Sequence, residues 1–260
     1  MQRVTSADDT TIAYHSTGNG PAVIVVAGAF SERNDPMLVG LAQVLAPTFT
    51  VFNYDRRGRG DSGDTEPYAV QREIEDLNAL IDQAGGQAMV FGGSSGGALA
   101  LEAAAAGSAI TKLAVFEPPY VTDDTREPLP SEEELSDLVQ AGRRGDAVEL
   151  FLTKGAEMPL EAVAQMKDQP FWPQTVAVAH TLAYEAAVVG RGPVPTQRLA
   201  NVDTPTLVLF GSNSGPRMQD AARAVADALP NARVHPMRGQ AHGALDPENV
   251  STVLTAFFAS

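Results

Sequence analysis

The stretch Val90–Gly97, VFGGSSGG, restricts the possible folds more than any other part of the chain. An apolar run, QAMVF, ends on two glycines, two serines follow, and a second glycine pair opens an alanine-rich stretch, GALALEAAAAG. Glycine is costly in regular structure, so this density marks a backbone that turns sharply or passes close to a neighbour. A phosphate-binding loop needs a lysine beside Ser or Thr where the helix starts. Here Gly96-Gly97-Ala98-Leu99 carries no cation, and GGSSGG does not match the G-x-G-x-x-G dinucleotide fingerprint either. What remains is G-x-S-x-G, a strained strand-to-helix turn that exposes one serine Oγ above a sheet. Such a turn needs small residues two positions before and after the serine. The new helix directs its first N–H groups and positive dipole end at the reacting oxygen. Two registers fit. The strand running straight onto Gly92 favours Ser94, with Ser95 next in line to supply a backbone N–H; the alternative makes Ser95 the nucleophile.

The surrounding pattern predicts an α/β domain. Short β-branched runs, AVIVVAG (22–28), FTVFNYD (49–55), QAMVF, KLAVFEPP and, later, TPTLVLFG and ARVHPM, alternate with helical stretches. In the first of these helices Val70, Ile74, Leu77 and Ile81 recur at helical spacing, and Gly85-Gly86 supplies the stop. RVTSADDTTIAYHS reads as an opening hairpin with Asp8-Asp9 in its turn. From 120 to 201 the alternation gives way to helical patterns only. The expected architecture is a mostly parallel sheet of about eight strands, helices on both faces, built from 1–119 and 202–260, with 120–201 as a helical cap insertion. The acidic run 123–134 reads as solvated surface.

Composition narrows the function. At 260 residues, 44% apolar and 19% charged, the chain can bury one substantial core. A formal net charge of −14 argues against nucleic acid or an anionic membrane surface as partner. The absence of cysteine excludes disulfides, thiolate zinc sites and a cysteine nucleophile. The opening MQRVTSADDT places acids where an export signal would be apolar, and PAVIVVAGAF is too short to span a bilayer. The expectation is a cytoplasmic monomer or homodimer acting on a small molecule, with no metal or cofactor.

Four landmarks in order, VVAGAF after the first central strand, YDRRGRGDSG at 54–63, GGSSGG at 92–97 and GQAHG at 239–243, resemble the α/β-hydrolase family, in its serine-hydrolase branch with a helical cap. The resemblance implies a catalytic base in the loop before the last helix, where His242 stands, and an oxyanion hole from the backbone N–H groups of Ala29 and Ser95. Family members usually carry His-Gly after the first central strand; here that pair is Ala27-Gly28. Phe30 is expected to face the pocket, and Trp172 and His180 are candidates for substrate contact from the insertion. Its other aromatic and apolar residues, Phe151, Met158, Phe171 and Tyr184, hint at a partly apolar substrate, although residues at helical spacing also pack internally. The arginines of YDRRGRGDSG are expected to pair with carboxylates as structural elements.

The resemblance also implies an acid after the strand that follows the cap, but FGSNSGPRM offers no carboxylate there. Glu117 ends the strand that follows the nucleophile helix. In a parallel sheet the carboxyl ends of strands open on one crevice, which puts Glu117 on Ser94's side. Some family members carry their acid at this place. The expected triad is Ser94, Glu117 and His242. The expected activity is hydrolysis of an ester, thioester or lactone through an acyl-enzyme. Alternatives on the same fold are a lyase, C–C hydrolase or cyclase using Ser94 and His242 for proton transfer, or a non-catalytic binder of a small ligand.

Overall fold

The computed structural model describes residues 1–122, 129–190 and 192–260. Strands β1 (Gln2–Thr5) and β2 (Thr11–Thr17) form the opening hairpin around Asp8-Asp9, and Asp9 takes the left-handed conformation there (φ 66°). Six further strands, β3 (Ala22–Val26), β4 (Thr50–Tyr54), β5 (Ala88–Gly93), β6 (Ile110–Phe116), β7 (Thr206–Gly211) and β8 (Ala232–Met237), complete one eight-stranded sheet. Its order is β1-β2-β4-β3-β5-β6-β7-β8, and only β1–β2 and β2–β4 pair antiparallel.

Alternation along the strands sends apolar side chains to two cores. Ile24, Val26, Val90, Val115 and Val208 pack on one face beneath α2 (Val70–Gln83) and α3 (Ser95–Ala105). Val23, Val25, Phe91, Phe116 and Leu209 pack on the other, beneath α1 (Pro36–Leu45) and α11 (Pro247–Phe258). Both faces of the central strands are covered, which is why their sequences read as uniformly apolar. The strand–helix alternation passes over α1, whose start is encoded locally: the Asp35 side chain accepts from Met37 N (2.9 Å) and Pro36 occupies the first turn.

Between β6 and β7 the described chain is helical. It forms α4 (Glu132–Gln140), α5 (Arg144–Leu150), a π-helical turn (Phe151–Gly155), α6 (Leu160–Lys167), α7 (Trp172–Ala177), a short 3₁₀ turn, α8 (Leu182–Val189) and α9 (Thr196–Leu199). This segment has its own buried cluster, with Leu135, Val148, Leu152, Val163 and Leu182 at its centre. Of the acidic run, 123–128 lie outside the described residues. Its end starts α4 through a capping box, in which Ser131 Oγ accepts from Glu134 N (3.1 Å) and the Glu134 carboxylate accepts from Ser131 N (2.8 Å). Downstream, α10 (Pro216–Ala228) connects β7 to β8. Among the described residues no helix is long and apolar enough to cross a membrane.

Candidate active site

At the carboxyl end of β5 the turn has room for glycine alone at two points. A Cβ on Gly92 would lie 2.5 Å from Gly96 O, and one on Gly96 would lie 2.2 Å from Val26 O. These are the positions two before and two after Ser94. Ser94 itself sits at φ 54°, ψ −130°, a conformation that costs a non-glycine residue about 1–3 kcal/mol. Its N–H donates to Phe116 O (2.8 Å), which pins the turn to β6. Ser94 Oγ lies 3.2 Å from His242 Nε2. Ser95, 2% exposed, has a hydroxyl with no hydrogen-bond partner among the described residues. Of the two registers, the structure brings Ser94 to the imidazole.

The second ring nitrogen, His242 Nδ1, lies 2.8 Å from Glu117 Oε2. Glu117 is wholly buried, and its other oxygen accepts from Gly211 N at 2.8 Å. It also adopts a left-handed backbone (φ 47°) directly after β6, while its own N–H donates to Leu209 O (3.0 Å). The strain turns the chain at the strand end and is held by bonds on both sides of the residue. The turn after β7, which carries no carboxylate, has another use. Ser214 Oγ accepts from His242 N (2.9 Å), and Ser212 Oγ accepts from Gly239 N (2.9 Å). Gly211 is needed where it stands, since a Cβ there would lie 2.2 Å from Gln240 O. Sequence reasoning missed Ser214 and Gly211 as supports of the imidazole loop. Their signal was the pair of hydroxyls in SNS, short side chains well suited to tying backbone N–H groups of an adjacent loop.

Ser94 opens on a cavity of about 450 Å³. Ala29 and Ser95 line it, as do Phe30, Leu38, Phe116, Leu129, Phe151, Leu152 and Met218. The loop after β3 passes close: a Cβ on Gly28 would lie 3.0 Å from Ser94 Cβ and 3.7 Å from its Oγ. Phe30 is held at φ 65° and meets Phe151 of the π-helical turn edge to face, with ring centroids 5.6 Å apart. A hydroxyl, an imidazole and a buried carboxylate in series, at the mouth of a largely apolar cavity, can move a proton off the hydroxyl while the carboxylate balances the imidazolium.

Residues 23–252 match the model of the alpha/beta hydrolase family. The chain belongs to that family. It is similar to an alpha/beta hydrolase from Sphaerobacter thermophilus, at 52% identity and a TM-score of 0.92 over 99% of this chain and 100% of the other. A hydrolase from Pseudomonas aeruginosa shares the fold at 22% identity and a TM-score of 0.78, covering 100% and 98% of the two chains. A thermophilic esterase from Thermogutta terrifontis does so at 20% identity and 0.75, again over 100% and 98%.

In this alpha/beta hydrolase, two residues expected at the substrate lie elsewhere. Trp172 is not among the residues lining the cavity; it packs against the helical segment's own cluster. His180 is not there either. Its Nδ1 is 3.0 Å from Arg144 Nη2 and its Nε2 is 3.6 Å from Asp64 Oδ2, and burial pushes its pKa below the usual imidazole range. A residue at helical spacing faces whatever its helix packs on, and for both residues that is not the cavity. Phe151 does reach it, whereas Phe171 is exposed and Met158 and Tyr184 pack on the segment's cluster. The arginines after β4 pair as expected: Arg56 with Glu73 and Glu185, Arg57 with Asp76 and Asp8, Arg59 with Glu185.

Proposed function

We propose that this protein hydrolyses a carboxylic ester, thioester or lactone of a small, partly apolar substrate through an acyl-enzyme, without a cofactor. The observation that carries the reading is the continuous series Ser94 Oγ–His242–Glu117, 3.2 and 2.8 Å, ending at a cavity with apolar walls. Ser94 Oγ attacks the carbonyl carbon as His242 Nε2 takes its proton. Glu117 accepts from His242 Nδ1, fixes the tautomer and stabilises the imidazolium. The N–H groups of Ala29 and Ser95 receive the charge that develops on the carbonyl oxygen. His242 returns the proton to the leaving alcohol or thiol, then activates the water that releases the acid. Residues 120–201 act as a cap, with Phe151 and Leu152 enclosing the apolar part of the substrate.

The test is labelling with a fluorophosphonate and peptide mass mapping of the adduct, on wild type and on Glu117→Gln. An adduct on Ser94 that forms much more slowly in the variant is expected. An adduct on Ser95 would overturn the register. A wild-type rate in the variant would remove Glu117 from the triad. Folded protein that neither labels nor turns over p-nitrophenyl butyrate would move the assignment to proton-transfer chemistry or simple binding.

A further inference from the structure

The proposed chemistry leaves a set of fully buried arginines without a role. Arg57 is closed off, its guanidinium spent on Asp76, Asp8 and the carbonyl of Arg72. Arg56 and Arg59 instead reach the loop after β3. Arg56 Nη1 donates to Ala27 O (3.2 Å), and Arg59 Nη1 donates to Gly28 O (2.6 Å). Glu185 of α8 holds both: its carboxylate accepts from Arg56 Nη1 (3.0 Å) and from Arg59 Nη2. Because this carboxylate is shared by two guanidiniums, it meets the cavity wall as a compensated charge.

The bond to Gly28 O has a consequence for Ala29. The peptide joining them is planar and trans, so Gly28 C=O and Ala29 N–H belong to one rigid unit and point in opposite directions. Fixing the oxygen on Arg59 fixes the N–H on the far side, where Ala29 lines the cavity beside Ser94. A charged donor on the carbonyl also polarises the peptide and strengthens its N–H as a donor. Ala27 has no polar side chain with which to tie this loop itself.

We infer that Arg59, braced by Glu185, is the positioning residue for the Ala29 N–H of the oxyanion hole, with Arg56 steadying the peptide before it. The inference rests on the serine-hydrolase reading. It also ties the hole to the helical segment, because the carboxylate that braces Arg59 belongs to α8.

Three variants test this: Arg59→Lys, Glu185→Gln, and Arg57→Lys as an equally buried arginine that does not touch the loop. Turnover of p-nitrophenyl butyrate is measured per site titrated with fluorophosphonate, alongside the Ki of an alkyl trifluoromethyl ketone, which adds the serine to form an oxyanion. Deleting an oxyanion donor lowers kcat by about 10²–10³, so a misaimed one is expected to lower it about 10- to 100-fold. KM should stay nearly constant, and the ketone's Ki should rise in parallel with the loss in kcat. Arg57→Lys should lower Tm and leave turnover per titrated site unchanged. Glu185→Gln keeps the side-chain shape and carries the test if Arg59→Lys does not fold. Wild-type kcat per site in the folded variants, or a Ki that does not follow kcat, would overturn the inference while leaving the hydrolase reading intact. A wild-type protein that neither labels nor turns over would remove both.

Discussion

Glu117 and Glu73 are equally hidden carboxylates, 0% and 1% exposed, yet the molecule surrounds them differently. A buried carboxylate is tolerable only when its oxygens are satisfied. Glu73 is satisfied by a permanent charge. Burial pushes its pKa upward, but the Arg56 guanidinium, donating at 2.6 Å to each oxygen, outweighs this and holds it below the ordinary range, and Tyr68 OH adds a third bond. Glu117 has a peptide N–H and an imidazole, and the imidazole can gain and lose its charge. The far side of that imidazole faces a serine and a cavity, whereas the far side of Arg56 faces backbone and Glu185. Depth of burial does not separate a structural carboxylate from a chemical one. The partner does, together with what the partner faces.

The largest effect is expected where the charge has chemistry to do. Glu117→Gln keeps the shape but removes the charge that balances an imidazolium, and should lower kcat by about 10³–10⁴. Its melting temperature should stay near wild type. A variant that melts far earlier and retains its kcat per labelled site would place Glu117 with the structural carboxylates.

Glu73→Gln should behave the other way round. Removing one member of a buried ion pair costs about 3–5 kcal/mol, because it leaves an uncompensated charge inside. At about 2–4 °C per kcal/mol for chains of roughly this size, Tm should fall by about 6–20 °C. Turnover per titrated site should stay within an order of magnitude, since Glu185 still holds Arg56. Thermal melts combined with active-site titration separate the two quantities. A collapse in turnover with an unchanged melt would break the distinction.

The same contrast explains what was legible in the sequence. G-x-S-x-G is local: its two glycines are required because a Cβ on either would lie 2.5 or 2.2 Å from a backbone oxygen of the same turn or the neighbouring strand, so the pattern survives without knowledge of the fold. Glu117 followed from topology, since a strand-end residue in a parallel sheet has only one crevice to face. The hydroxyl of Ser214 was legible as a group able to tie a backbone N–H, but its partner was not, and nothing marked Glu185. Each acts on a partner far along the chain, Ser214 on the His242 backbone and Glu185 on Arg56 and Arg59, and neither periodicity nor spacing encodes such a pairing. Trp172 and His180 failed for a related reason. A helix pattern specifies that a face is apolar or polar, but not which surface it meets, and theirs meet the segment's own core and Arg144.

The smallest effect belongs to a carboxylate of the same arginine-paired kind that has kept some contact with solvent. Asp8, in the hairpin turn, accepts from Arg57 Nη1 (3.0 Å) and from Thr10 N (3.1 Å). Burial pushes its pKa up, but the hydrogen bonds from Arg57 and Thr10 outweigh this and bring it from 3.8 down to about 2. A carboxylate with a lower pKa in the folded state favours folding while ionised. Its contribution is therefore complete above pH 4 and is lost as pH falls through about 2. Pairs with solvent access are worth about 0–1 kcal/mol, so Asp8→Asn should lower Tm by about 2 °C at pH 7. The gap should close as both proteins are melted at successively lower pH towards 2. A gap that persists unchanged to pH 2 would mean that Asp8 contributes shape rather than charge. A gap as large as that of Glu73→Gln would show that the arginine, and not its removal from water, sets the strength of these pairs.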